Sequence, residues 1–179
     1  GKLGIPQIPD SEFDYESSKL LNPQIMAFFR MLGQMGMPFN LDAWDGYPAS
    51  RDRVYDAIKT HANNAVFLAG DTHNAWAFDL ADKDGEAIGV ELATPGISSP
   101  GLENFIPVEP STVHTELSKV SPELKYANTQ DRGWMSLNIS LEQITAHWHF
   151  VSSVVSPEYT NSKGHSLAVV KGAHKLSAP

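Results

Sequence analysis

The chain has 179 residues, enough for one domain with a core that buries roughly 70% of the surface its unfolded form exposes. Its 13 Lys and Arg against 21 Asp and Glu leave a formal charge of −8, which argues against general binding to nucleic acid or anionic lipid, because neutralising phosphates takes clustered cations. There is no cysteine, so there is no disulfide, thiolate ligand or thiol nucleophile, and any metal must be held by Asp, Glu, His, Asn or Tyr, a set that favours hard or borderline cations. No apolar run reaches the length of a membrane span, and the first residues lack the basic and apolar segments of a secretory signal; the expectation is a soluble chain.

Residues 1–19, with Pro6 and Pro9 and no sustained periodicity, read as an irregular segment folded over the rest. Asn22-Pro23 is the pattern of an N-cap followed by proline at the first helical position. Ile25, Met26, Phe28, Phe29, Met31 and Leu32 then make a helix so apolar that it needs cover on several sides, ended by Gly33, Gly36 and Pro38. Met26, Met31, Met35 and Met37 are expected as gap-filling core residues. The stretch from Leu41 to Arg51 is a loop dense in aromatic, Gly and Pro residues. It hands over to a helix capped by Ser50, with Val54, Ala57, Ile58 and His61 at core spacing and an end at Asn63-Asn64.

Ala65 to Ala69 is a short apolar run that reads as a buried parallel strand, and helix followed by strand is half of a βαβ unit. Such a strand needs neighbours, and nothing upstream reads as one, so the expectation is that its partners come from another polypeptide or from a preceding region. The run ends in Gly70-Asp71-Thr72-His73. On extended backbone Asp71 and His73, two residues apart, point the same way and reach one ion, while Gly70 lets the chain turn closely. The same tripeptide also reads as a turn with a capping histidine.

Beyond His73 the period is two. Ala75–Leu80 and Glu86–Ala93 form one expected hairpin, turning at Asp82-Lys83-Asp84-Gly85; Gly133–Ser140 and Ile144–Val155 form a second, turning at Leu141-Glu142-Gln143. Between them lie a loop, Pro95-Gly96-Ile97-Ser98-Ser99-Pro100-Gly101, and a helix from Pro110 to Val120; residues 156–179 read as a C-terminal tail. Asp45, between Trp44 and Tyr47, reads either as a pocket residue or as part of a rigid turn. Arg51 and Arg53 sit in a first helical turn, where their charge opposes the helix dipole and asks for an anionic partner; for Arg53 the reading is a surface position. Asn74 either orients a ligand or makes a turn, and Ser98 and Ser99 either donate to a phosphate or are plain loop. His147 and His149 flank Trp148 on a strand and, lacking a third ligand, read as a solvent or interface face rather than a zinc site. Asn138-Ile139-Ser140 fits an N-glycosylation pattern at a strand end and is discounted.

Several of these stretches, in this order, carry a family resemblance: Leu41 to Arg51; Gly70-Asp71-Thr72-His73-Asn74; Gly89-Val90-Glu91-Leu92 leading to Ser98-Ser99-Pro100-Gly101; Leu124-Lys125-Tyr126; and Arg132-Gly133. From about Asn22 to about Lys175 the chain resembles the carboxyl-terminal half of the PhoD-type alkaline phosphatases, within the metallophosphoesterase superfamily. The resemblance implies an α/β fold: the C-terminal half of a two-sheet α/β/β/α metallophosphoesterase sandwich, with one buried strand after a helix followed by antiparallel hairpins. The whole chain would then be a single, partial domain.

It further implies metal-dependent hydrolysis of phosphate mono- or diesters, with paired cations that polarise the phosphoryl oxygens and ionise a water. Asp71 and His73 would be metal ligands, and Asn74, Arg51, Ser98 and Ser99 candidate substrate contacts. The cofactors implied are calcium and iron, and the location periplasmic or secreted. Asp71 stands where the superfamily usually has a histidine, and that oxygen suits calcium better than zinc. The family's other metal-binding motifs are absent from these residues, so the chain alone is expected to be inactive, its open sheet covered by a missing N-terminal half or by a second copy. The competing reading is a non-catalytic β-rich module that binds a partner. A serine hydrolase using His73 is disfavoured because no Gly-x-Ser-x-Gly elbow occurs.

Overall fold

The computed structural model describes residues 9–16, 21–35, 37, 41–106 and 108–179. Asn22 caps the first helix, α1 (Pro23–Gln34), its side-chain oxygen accepting from Ile25 N–H at 2.9 Å with proline at the helix start, as the residue types require. Of the N-terminal segment, residues 9–16 pack on α1: Asp10 accepts from Tyr15 Oη at 2.6 Å and from Arg30 Nη1 of α1 at 2.7 Å, and Phe13 is buried. The expected breakers Gly36 and Pro38 lie outside the described residues. Of the four methionines expected in the core only Met26 is buried; Met31, Met35 and Met37 are exposed together with Phe28, so α1 presents an apolar outer face.

The second helix, α2 (Pro48–His61), starts three residues earlier than a cap at Ser50 would place it. Pro48, with its preset φ, opens it, and Ser50 lies inside the helix, accepting from Arg53 Nη2 at 3.0 Å instead of capping. None of its side chains is fully buried; Tyr55 rests edge-on against Phe67, ring centres 6.4 Å apart. The third helix, α3 (Pro110–Val120), has the expected bounds.

The described residues form eight strands: β1 (Ala65–Ala69), β2 (Ala75–Ala81), β3 (Ala87–Ala93), β4 (Leu124–Asn128), β5 (Arg132–Ile139), β6 (Gln143–Val151), β7 (Asn161–Val170) and β8 (Leu176–Ser177). They form two four-stranded sheets, ordered β1-β3-β2-β4 and β5-β6-β7-β8. Both expected hairpins form, as β2–β3 and β5–β6, and only β1–β3 is parallel.

Three expectations fail here. The partner of β1 lies downstream, in β3, because a short hairpin can return its second strand beside β1 as readily as an upstream βαβ unit can; nor is β1 buried, since it ends the sheet and Leu68 is 61% exposed. The stretch 156–179 is not a tail, since it supplies β7 and β8. The first residues of β7 are polar and exposed, so the alternation that marks a strand is missing and the backbone ladder with β6 decides its conformation.

Alternation then sorts the side chains. From β2, Ala75 and Ala77 enter a cluster with Val90 and Leu92 of β3 and Ala146, Trp148, Phe150 and Val169 of the second sheet. Their neighbour Trp76 faces the other way, into a cluster with Met26 of α1 and with Val113 and Leu117 of α3. The molecule is thus a mixed α/β structure in which the two sheets share one apolar cluster and helices pack on the outer face of the first sheet. Each fully buried large side chain adds about 1.5–3 kcal/mol, so this double-sided burial holds β2 and β3 in register and fixes where their ends lie.

Candidate metal centre

Parallel pairing of β1 with β3 puts the carboxyl ends of both strands at one edge of the sheet, and Thr94 N–H donates to Ala69 O at 3.0 Å across that edge. Two loops leave from it, Gly70–Asn74 and Thr94–Gly101. The backbone between Asp71 and His73 is not extended, as the alternation argument required. Both residues have positive φ, 67° and 60°, and Gly70 does not. The left-handed turn therefore falls on the two candidate ligands themselves; Asp tolerates it better than most residues, but for non-glycine residues it costs free energy and persists only where surrounding structure enforces it.

The enforcing contacts lie on and beneath His73. Its Nδ1 is 2.8 Å from the carbonyl oxygen of Pro100. A carbonyl only accepts, so this contact places the proton on Nδ1 and leaves the lone pair on Nε2, the arrangement of a metal-ligating histidine oriented by a backbone carbonyl. The backbone oxygen of His73 accepts from Arg132 Nη1 at 2.9 Å, and the Arg132 fork also pairs with Glu103. Burial acts to raise the Glu103 pKa, but the Arg132 guanidinium and the Gly101 N–H outweigh it and hold the carboxyl below its ordinary range. Asp71 is exposed, with its carboxylate open to solvent.

Two glycines let the second loop wrap this closely. A Cβ at Gly96 would stand 3.1 Å from the Cβ of His73, and one at Gly101 would stand 2.4 Å from Asn74 Nδ2 and 3.0 Å from Arg132 Nη1. Asn74 is 0% exposed, its oxygen accepting from Leu102 N–H at 3.2 Å and its amide donating to Thr129 O at 3.0 Å. That corrects the expected substrate contact: a fully buried amide already bonded to the backbone holds the loops together and does not face a ligand.

Ser98 is exposed and Ser99 half-buried in the loop that carries Pro100. Arg51 finds the anionic partner its position asked for in Asp45, Nη1 to Oδ1 at 2.8 Å, so Asp45 is tied into the turn and is a pocket residue as well. Together they line a cavity of about 290 Å³ on the outer face of the first sheet, shared with Tyr55, Glu91, Trp76 and Thr72. Burial, and secondarily the Asp45 charge, pushes the Glu91 carboxyl up. Arg51 thus reaches a wall common with Thr72, while Thr72 Oγ1 accepts from Trp76 Nε1 at 3.0 Å.

His147 and His149 hydrogen-bond to their own sheet, His149 Nε2 to Ser136 Oγ and His147 Nδ1 to Ser166 Oγ, each at 2.8 Å, with Trp134 stacked on His149. Among the described residues no three His, Asp or Glu side chains gather to hold a metal. Asp71 and His73 therefore stand as two candidate donors without a third beside them among the described residues.

The model of the family described as PhoD-like phosphatase matches residues 11–148, which include both loops, Glu103 and Arg132. The chain belongs to that family. It is 31% identical over 148 residues to alkaline phosphatase D of Bacillus subtilis, covering 78% of this chain and 24% of that protein. The solved structure of PhoD superposes with a TM-score of 0.60 at 25% identity, over 77% of this chain and 27% of that one. The chain therefore spans about a quarter of the length of the PhoD relatives it matches. Glu103 does not figure in the sequence reading, and Arg132 figures there only within Arg132-Gly133, one of the stretches that carry the resemblance. The available signal was that stretch, a cation at the start of a strand; in the structure its side chain is nearly buried, which obliges a carboxylate partner.

Proposed function

We propose that this chain supplies the Asp71 and His73 arm of a metal-dependent phosphatase centre that hydrolyses phosphate mono- or diesters. The observation that supports it best is the His73 ring: Nδ1 tied to Pro100 O leaves a nitrogen lone pair at the end of a left-handed turn beside an exposed carboxylate. An imidazole nitrogen and a carboxylate oxygen are a borderline-to-hard donor pair, in keeping with iron and calcium and with the absence of thiolates.

When bound, the cations neutralise charge on the phosphoryl oxygens and raise the acidity of a water. This chain's own residues hold and orient. His73 offers Nε2 and stays neutral to do so, Asp71 offers an oxygen, and Ser98 and Ser99 donate hydrogen bonds to the ester's non-bridging oxygens from the loop that carries Pro100. Arg51, held by Asp45 in a cavity wall that also includes Thr72, is the remaining candidate substrate contact. The remaining donors come from polypeptide outside these residues or from a second copy lying along the free edge of β1, and the working location is outside the cytoplasm.

The test is metal analysis and phosphatase assay of the full-length protein with Asp71→Asn and His73→Ala. Both variants are expected to lose metal and to lose turnover with p-nitrophenyl phosphate and with a diester. Full metal and activity in both would overturn the assignment. The 179-residue chain alone is expected to show no turnover.

A further inference from the structure

A buried fork grips the candidate ligand from two directions. Arg132 is 6% exposed at the first position of β5. Its Nη1 donates to the backbone oxygen of His73 at 2.9 Å, which fixes one end of the left-handed residue. Its Nη2 pairs with Glu103, whose Oε1 also accepts from Gly101 N–H at 3.2 Å. Gly101 is the residue after Pro100, the carbonyl that holds the His73 ring at 2.8 Å. One guanidinium is therefore bonded directly to the backbone of His73 and, through one carboxylate, to the chain that orients its imidazole. A third tie runs in parallel, Gly133 N–H to Gly96 O at 3.0 Å, from the neighbour of Arg132 to the glycine packed on His73.

We infer that Arg132, with Glu103, is the positioning device of this site: it enforces the left-handed backbone of His73 and presets the ring with Nε2 free before any cation arrives. Arg132 touches no reacting atom in this arrangement. A planar five-donor fork is needed because the His73 carbonyl and the Glu103 carboxylate lie in different directions from one cation; a lysine ammonium would neutralise Glu103 without spanning both. A partner of this kind is worth about 10–100-fold in metal affinity at other metal sites. The inference rests on the proposed ligand role of His73, and its test can fail separately.

The test uses the polypeptide that carries these residues, in its metal-free state at one alkaline pH. The readout is the ¹⁵N imidazole spectrum of His73, followed by metal titration. The wild type is expected to hold its proton on Nδ1. Arg132→Gln and Arg132→Lys are expected to redistribute it towards Nε2 and to weaken metal binding about 10–100-fold, with Arg132→Lys retaining more thermal stability than Arg132→Gln but not the wild-type tautomer. Val169→Ala, a buried truncation in the cluster between the sheets, is expected to lower stability and leave the tautomer unchanged. If Arg132→Gln does not fold, Glu103→Gln decides the matter through the same spectrum.

An unaltered His73 tautomer and unaltered metal affinity in the folded Arg132 variant, or in Glu103→Gln where that variant decides, would overturn the inference. If the tautomer moves while His73→Ala keeps its metal, the ligand role is what fails.

Discussion

The indole nitrogen of Trp148 donates to the carbonyl oxygen of Ala93 at 2.9 Å, joining the buried middle of β6 to the last residue of β3. Like the Arg132 contact to His73 O, this bond ties the second sheet to the edge that carries the two candidate loops, for Thr94 begins the loop that wraps His73. Trp148 is fully buried, so its N–H needs a partner, and the chosen partner fixes how far β3 can shift.

Trp148→Phe removes the indole N–H that donates to Ala93 O and opens space between the sheets. It is expected to cost about 1–3 kcal/mol of stability, read as a lower urea midpoint at an unchanged slope. An unchanged midpoint would show that this hydrogen bond adds nothing to stability.

Asp71 holds φ 67° with its side chain in solvent. Replacing it with glycine removes the backbone penalty, so Asp71→Gly is expected to be more stable by about 0.5–1 kcal/mol while losing metal affinity. Calorimetry beside metal titration checks both signs in one sample, and a loss of stability would mean that the carboxylate makes a stabilising contact.

Gly101→Ala forces a methyl to within 2.4 Å of Asn74 Nδ2, 2.9 Å of Glu103 Oε2 and 3.0 Å of Arg132 Nη1, where Asn74 and Arg132 are held by their own hydrogen bonds. A cost of about 1–3 kcal/mol is expected for overpacking, together with displacement of the Pro100 carbonyl from His73. A crystal structure of the variant with the 2.8 Å contact intact would contradict this.

His165 stacks on Tyr126 with ring centres 4.3 Å apart, and burial lowers its pKa below the ordinary histidine value. The folded form therefore binds its proton less readily than the unfolded one. Stability that is fully present above pH about 6.5 falls as the pH drops through the lowered pKa. The thermal midpoint is expected to fall on acidification through this window, and less so in His165→Gln. Equal acid sensitivity in the two proteins would assign the effect to other groups.

Much of the fold could be read locally. Asn22-Pro23, the Asp82–Gly85 turn and the bounds of α3 each rest on interactions within a few residues: Asn22 with Ile25 N–H, Asp82 Oδ1 with the N–H groups of Asp84 and Glu86. The hairpins β2–β3 and β5–β6 follow from alternation joined by short turns. What failed was non-local. The exposure of Met31 and Met35 depends on what packs against α1, and β7, polar at its start, became a strand through its ladder with β6.

Composition and motif order by themselves determined that any donor these residues give a metal is oxygen or nitrogen, that Asp71 and His73 are the donors to test, and that the chain resembles PhoD-type phosphatases, because residue chemistry and spacing travel with the sequence. Only the tertiary structure decided that the turn between those donors is left-handed rather than extended, that Asn74 faces inward, and that Arg132, 59 positions along the chain from His73, holds its carbonyl. Those facts depend on distant backbone brought together when two sheets close on a common core, and no local pattern encodes which buried cation will meet which carbonyl.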